Sequence, residues 1–291
     1  MSKIHESCIV CQGTKLKCIS GYEKDHLVRC ASCGMVFSVQ IPSNNEIDGL
    51  YANYSYCSES KTSPITINRY EELLTTFESF RKTNKILDFG CGRGDFLLSA
   101  KKNNWEIYGY ETSEQAIFLL SKLGINVLQD TDIVSDDCAN SFDVIVSMEV
   151  LEHTIQPVHI IKNIFKLLRP GGILYITVPN FNSIGRLRMK GNYPIICYPE
   201  HISFFTKKSI RVALKRTGFS YTSTRTTGIQ TSFLKRKKTA GINLLHDESN
   251  NSNEILRSKF ERPFMKLLKR MINFCLSILG IGETLKVTAI K

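Results

Sequence analysis

The 291-residue chain reads as an α/β protein: a doubly wound, largely parallel sheet preceded by a small four-cysteine ribbon. Three observations predict this. Short apolar strand patterns at Lys85–Phe89, Trp105–Tyr110, Asn126–Leu128 and Asn140–Ser147 alternate with helical patterns, the rhythm of βαβ units. The first of these strands runs into a glycine turn, Gly90-Cys91-Gly92-Arg93-Gly94, with a helix starting behind it at Phe96-Leu97-Leu98. Near the start, Cys8-x-x-Cys11 and Cys30-x-x-Cys33 stand with 18 residues between them. Paired knuckles at that spacing supply four thiolates in tetrahedral array.

Taken in order, residues 1–42 read as the ribbon. Gly13, Gly21 and Gly34 supply its turns, and Val36 to Gln40 its last strand. Cys8, Cys11, Cys30 and Cys33 make a closed site without an open position for water, which assigns a structural Zn²⁺ to folding. Residues 43–84 read as a linker and a helical lid: Pro42–Asn45, three tyrosines (Tyr51, Tyr54, Tyr56), and a helix from Ile67 to about Lys82. Tyr70, Leu73, Leu74, Phe77 and Phe80 recur along that helix at helical spacing. Residues 85–230 form the nucleotide-binding sheet. Thr112 or Ser113 caps a helix to Leu123, and Thr206 opens another that Gly218 ends. A strand over Phe219–Thr226 follows. Residues 231–282 read as a basic helical insertion: Lys235–Lys238, a polar stretch over Asp247–Glu254, and a helix over Ile255–Leu279 joined near Pro263. Residues 283–291 return as the last strand, Thr284 to Ile290.

The glycine turn allows close backbone approach to a ligand, with a helix N-terminus aimed at it. Its spacing is G-x-G-x-G, because Asp95 stands where the dinucleotide fingerprint requires a glycine. Glu111 closes the second strand 23 residues after Asp88, about where a doubly wound fold places the carboxylate that binds ribose hydroxyls. Past the strand ending at Ser147, Glu149, Glu152 and His153 stand at i, i+3 and i+4, which predicts all three on one face of a helical turn. Pro157 confines that turn. His201 lies after the following strand. Two carboxylates and two imidazoles suit Mg²⁺ or another divalent cation, and either His153 or His201 also suits a general base. Between Pro179 and His201, an insert carries Arg186, Arg188, Lys190, Tyr193 and Tyr198, where open α/β sheets bind ligands.

Four landmarks occur in one order: Asp88 to Gly94, Glu111-Thr112-Ser113, Ser141-Phe142-Asp143-Val144-Ile145, and Arg169-Pro170-Gly171-Gly172 with the strand to Pro179. This set resembles the class I S-adenosylmethionine (SAM)-dependent methyltransferases, whose fold is a Rossmann-like doubly wound sheet. Gly280 to Val287 resembles their closing strand. Ser147-Met148-Glu149-Val150-Leu151-Glu152-His153 resembles the corresponding stretch of ubiquinone-biosynthesis O-methyltransferases, and E-x-x-E-H with a later His resembles the metal site of small-RNA 2′-O-methyltransferases. The ribbon resembles an accessory module of methyltransferases encoded with glycan-assembly enzymes. The resemblance implies SAM contacts at Asp88, Gly90, Cys91, Gly92, Gly94, Glu111, Thr112 and Glu149, and an adenine contact at Asp130. It implies catalytic roles for Glu149, Glu152, His153 and His201. The acceptor it implies is a hydroxyl on a sugar or on another small or lipid-linked molecule, with a small molecule or a lipid-linked glycan as the partner. An RNA 2′-O-methyltransferase and a non-catalytic zinc-dependent interaction protein stay open as alternatives.

The charge is asymmetric. Residues 1–206 hold 20 Lys/Arg against 22 Asp/Glu; residues 207–291 hold 18 against 5, net +13. This points to an anionic partner. The basic amphipathic C-terminal helix fits peripheral contact with an anionic membrane. Nucleic acid fits less well, because the basic stretches lack interleaved aromatics. No leader pattern opens the chain and no apolar run approaches about 20 residues, so the expected location is cytoplasmic, peripheral at the inner membrane face.

Overall fold

The fold comes from a computed structural model that describes residues 3–43, 45–47, 49, 62–229 and 263–291. The readings for Tyr51, Tyr54, Tyr56, Lys235–Lys238, Asp247–Glu254 and the helix before Pro263 lie outside the described residues.

The ribbon is an antiparallel sheet of β1 (Leu16–Cys18), β2 (Leu27–Cys30) and β3 (Val36–Ser38). After it comes α1 (Pro64–Phe77), which starts three residues before the expected position. The reason is local: the Ser63 hydroxyl accepts the Thr66 N–H and Pro64 occupies the first helical turn. The helix also ends sooner than the periodicity implies, in a 3-10 turn at Glu78–Phe80. Here a tertiary contact wins. The buried carboxylate of Asp143 accepts the N–H groups of Lys82, Thr83 and Asn84 at 2.7–2.8 Å, drawing that backbone out of helical conformation.

The alternation then follows: β4 (Lys85–Phe89), α2 (Asp95–Lys102), β5 (Glu106–Tyr110), α3 (Glu114–Lys122), β6 (Asn126–Leu128), α4 (Asp130–Val134), β7 (Phe142–Met148), α5 (Pro157–Leu167) and β8 (Leu168–Pro179). The insert carries α6 (Ile184–Met189) and β9 (Ser203–Phe204). Last come α7 (Lys207–Thr217), β10 (Tyr221–Thr227), α8 (Pro263–Leu279) and β11 (Thr284–Ile290). The large sheet runs β10-β11-β8-β7-β4-β5-β6. Its middle and β6 edge are parallel, while β11 inserts antiparallel between β8 and β10. The strand order reverses between β4 and β7, and open α/β sheets bind ligands in the crevice at such a point.

The ribbon does not hang on a free linker. β9 adds to it as a fourth strand, with Val36 opposite Phe204 and Phe37 opposite Ser203. The ribbon residues Cys8, Val10, Cys30, Met35 and Phe37 share one buried cluster with Leu151, Ile161, Phe205 and Ile210 of the larger domain. The opposite sheet face buries Leu74 and Phe77 of α1 against Ile86, Phe96, Val144 and Tyr175.

Asp143 also pairs with Arg169, whose guanidinium donates on to the Phe80 and Pro170 carbonyls. Burial pushes the Asp143 carboxyl up, but Arg169 and the backbone N–H donors together hold it below the usual carboxylate range. Removing one partner strands the other charge in the core. Asp143→Ala is therefore expected to cost about 3–5 kcal/mol in urea unfolding, and Asp143→Leu combined with Arg169→Met to recover much of it.

Candidate active site

The turn after β4 is tied to β5: the N–H groups of Gly90 and Cys91 both donate to the Tyr110 carbonyl, at 2.8 and 3.2 Å. Its three glycines have positive φ, but their surroundings differ. A Cβ on Gly90 would lie 2.4 Å from Val150, and one on Gly94 2.7 Å from Leu120 and Ile125. At Gly92 a Cβ would meet nothing within 4 Å. Gly90 and Gly94 are thus demanded by packing, whereas Gly92 faces open space. The Cys91 thiol turns back against Gly109, so only its backbone remains for a ligand.

Glu111 is held by the turn it serves. One carboxylate oxygen accepts Gly92 N–H at 2.9 Å; the other accepts Thr112 and Ser113 N–H at 2.7 and 3.1 Å. Asp88 closes β4, buried, with one carboxylate oxygen lacking any hydrogen-bond partner. Burial first, and the Glu111 charge second, push its carboxyl up to about 8. A cavity of about 140 Å³ opens over Asp88, Gly90, Arg93 and Met148, with Tyr70 of α1 on its wall. The helix read as a lid therefore reaches this cavity. Asp130 begins α4 and accepts the Tyr110 hydroxyl at 2.7 Å.

The second cluster corrects one expectation. Glu149 does not share a helical face with Glu152 and His153: it precedes the 3-10 turn Leu151–His153, in left-handed conformation at φ 56°, its N–H donated to the Thr177 carbonyl. The group brought together is Glu152, His153 and His201, with one ligand atom from each within 4.8 Å of the others. His201 reaches the site through its backbone neighbours. Ile202 N–H donates to the Glu152 carbonyl at 2.9 Å, the Ser203 hydroxyl to the Thr154 carbonyl at 2.8 Å, and β9 pairs with the ribbon.

Both imidazoles are oriented by carbonyls. His153 Nδ1 donates to Glu200 O at 2.9 Å and His201 Nδ1 to Ile195 O at 2.6 Å, which leaves each Nε2 with its lone pair. Burial, then His201, keeps His153 below the ordinary histidine range. Glu152 is buried with its Oε2 unpartnered; burial, then the Glu149 charge, raise its carboxyl well above the usual range. Met148, which lines the cavity, directly precedes Glu149, so the two clusters adjoin at the end of β7.

In the ribbon the four expected thiols converge. Cys8 and Cys33 sulfurs lie 3.5 Å apart, as do those of Cys11 and Cys30, and all four fall within 4.8 Å of one another. Tetrahedral Zn–S bonds of about 2.3 Å need sulfurs about 3.8 Å apart. The hydrogen bond between Cys8 and Cys33 pulls the Cys8 thiol down and pushes the Cys33 thiol up, so the two titrate as one pair.

Of the insert's cations, Arg186 is engaged within the fold. Arg186 donates to the Phe181 carbonyl at 2.6 Å and to the Tyr22 hydroxyl at 3.3 Å while stacking on Phe181, pinning α6 to the ribbon. Tyr193 donates to Glu283.

The crevice at the switch point thus carries a glycine turn, the Glu111 carboxylate bound to that turn and an adjoining His/Glu cluster. A family model described as a methyltransferase domain matches residues 65–224, and the chain belongs to that family. It is 33% identical over 127 residues to a ubiquinone biosynthesis O-methyltransferase of Coxiella burnetii, covering 41% of this chain and 52% of the relative. The corresponding protein of Proteus mirabilis is 30% identical over 105 residues, 34% of this chain and 43% of the relative. The chain thus spans about half the length of these curated relatives. Among solved structures, a SAM-dependent methyltransferase from Archaeoglobus fulgidus superposes with TM-score 0.53 at 18% identity, covering 78% of this chain and 93% of that one. Phosphoethanolamine N-methyltransferase 2 of Haemonchus contortus gives TM-score 0.53 at 18% identity, over 87% and 62%. These likenesses establish the Rossmann-like methyltransferase fold.

The raised Asp88 carboxyl has a measurable consequence. A folded-state value above the unfolded one, about 3.9, means that stability is lost as pH rises from about 4 to about 8. Without ligand, the melting temperature of wild type should carry this decline, and Asp88→Asn should lack that component.

Proposed function

We propose that the protein transfers the methyl group of SAM to a hydroxyl oxygen of a sugar or another small or lipid-linked acceptor. The observation that carries this reading is the convergence of Glu152, His153 and His201 just after Met148, which lines the cavity over Asp88 and Gly90. SAM supplies an activated methyl on a sulfonium. The chain's part is to bind the cofactor, aim the acceptor and take its proton. Asp88 offers its orphan carboxylate oxygen to the cofactor's ammonium group, Glu111 its carboxylate to the ribose hydroxyls, and Gly92 the open side of the turn. Thr112 and Asp130 stand at the far end, where the adenine contact is assigned.

Two oriented imidazoles and a buried carboxyl with an unpartnered oxygen fit a divalent cation such as Mg²⁺ or Mn²⁺. Such a cation lowers the pKa of a bound hydroxyl. His153 and His201 each keep an Nε2 lone pair that also accepts the proton directly. Glu149, beside Glu152, adds negative charge that favours a cation there. In the ribbon, the four cysteines are assigned a structural Zn²⁺.

The test is thermal melting with S-adenosylhomocysteine, then with added Mn²⁺. Saturation at 100 times Kd is worth about 2.7 kcal/mol of stability. Glu152→Gln is expected to keep the cofactor shift and lose the Mn²⁺ shift. No cofactor shift in wild type would sink the methyltransferase reading; an equal Mn²⁺ shift in both proteins would sink the cation site.

For the ribbon, atomic absorption is expected to find one zinc per chain. Chelation or Cys33→Ser should then lower the melting temperature and weaken the Mn²⁺ shift as well, since His201 is held through β9. A zinc-free protein of unchanged stability would overturn the assignment.

A further inference from the structure

The helix α8 docks by its polar side. Asn273 Oδ1 accepts the Gly228 N–H at 2.9 Å, the Leu276 carbonyl accepts the Thr226 hydroxyl at 2.6 Å, and the Ser277 carbonyl accepts Lys207 Nζ at 2.7 Å. These positions, i, i+3 and i+4, share one side of the helix. On the other side Leu267, Met271, Phe274 and Ile278 stand at i, i+4, i+7 and i+11, one continuous stripe, and each is between 58% and 68% exposed. A surface helix of a globular protein buries such a stripe against the core; here it faces outward. The neighbouring α6 extends this surface. Ile184 N–H donates to Ile281 O at 2.9 Å, just past the end of α8, and Ile184 and Leu187 are exposed as well. Asn180, at the start of the insert, holds the same turn through the Gly280 and Gly282 carbonyls, at 2.9 and 2.8 Å. The exposed apolar surface thus ends against the insert that leads to His201.

The charge around it has one sign. Residues 206–228 and 263–282 hold nine Lys/Arg and no Asp or Glu. Arg270 is exposed at the edge of the stripe, three residues after Leu267 and four before Phe274. A second copy of the chain fits this face poorly, because two such surfaces bring like charges together. Nor does α8 make a span: its 17 residues rise about 25 Å, less than the roughly 30 Å of a bilayer core. An outward apolar stripe, cations alongside and no acid describe a helix that lies in the interface of an anionic bilayer. We propose that α8, with α6 beside it, is a docking surface for an anionic phospholipid bilayer, its stripe seated at the acyl boundary and its cations among the headgroup phosphates. The surface does not depend on the methyl transfer proposed above; it turns the insert toward the bilayer, where a lipid-linked acceptor resides.

The test is flotation of the full chain with phosphatidylcholine vesicles, with and without phosphatidylglycerol, at one salt concentration. Wild type is expected to float with the anionic vesicles only. Met271→Gln combined with Phe274→Gln is expected to lower the partition coefficient by about tenfold or more. Leu187→Gln, on a separate element, is expected to lower it as well. All three substitutions are at exposed positions, so the melting temperature and its shift with S-adenosylhomocysteine should match those of wild type. Wild type that fails to float, that floats equally with neutral vesicles, or that floats no better than both variants overturns the proposal. So does a wild-type dimer in light scattering that the Met271→Gln, Phe274→Gln protein loses, because the stripe is then covered by a second copy. An absent S-adenosylhomocysteine shift in wild type counts against the methyl-transfer reading alone, since flotation is read without cofactor.

Discussion

Two backbone pairings between β3 of the ribbon and β9 of the insert carry much of this structure. Val36 opposite Phe204 and Phe37 opposite Ser203 make the ribbon's edge strand the template for β9. Ser38 N–H donates to the Ile202 carbonyl at 2.8 Å, and Ile202 N–H to the Glu152 carbonyl at 2.9 Å. The chain of hydrogen bonds thus runs from the four-cysteine centre through β3 and β9 to the turn that carries Glu152 and His153. His201, one residue before Ile202, is fixed by the same contacts. A two-stranded pairing would be marginal in water alone. Here it is buried, because Phe37 and Phe205 join the core under α5 and α7 while Phe204 packs with Tyr22 and Phe181.

The site stores unfavourable electrostatics at two places. Asp88 and Glu152 are buried carboxyls with an unpartnered oxygen each, and both are pushed toward protonation by burial. Asp143, equally enclosed, shows the other solution: three backbone donors and Arg169 satisfy it, and it ties β7 to the chain before β4. The contrast is between a carboxylate satisfied within the fold, which holds elements together, and two carboxyls that each keep an unpartnered oxygen.

The helix α8 illustrates how the sheet and the site are coupled at the far edge. It joins the edge strand through Thr226, whose hydroxyl donates to the Leu276 carbonyl, and Lys207 reaches the Ser277 carbonyl. Only Leu276 along the described part of the helix is deeply buried. The helix is thereby anchored at its C-terminal end, over β10. Among the described residues, no helix is long and apolar enough to cross a membrane.

The alternation of strands and helices, the glycine turn, the Asp88–Glu111 spacing and the paired cysteine knuckles were legible in the sequence, because each rests on local geometry. Periodicity, turn chemistry and ligand spacing act over a few residues. The closing strand at Thr284–Ile290 was legible for the same reason, while its position between β8 and β10 is a matter of sheet order. Tertiary structure decided the rest. Helical spacing placed Glu149, Glu152 and His153 on one face, but the end of β7 puts Glu149 in left-handed conformation, and the cluster that forms joins Glu152 and His153 to His201, 48 residues after His153. Arg186, which lies in an insert where open α/β sheets bind ligands, is taken up by Phe181 and Tyr22. A sequence pattern reports which side chains share an element; it carries no record of which distant element will cover them.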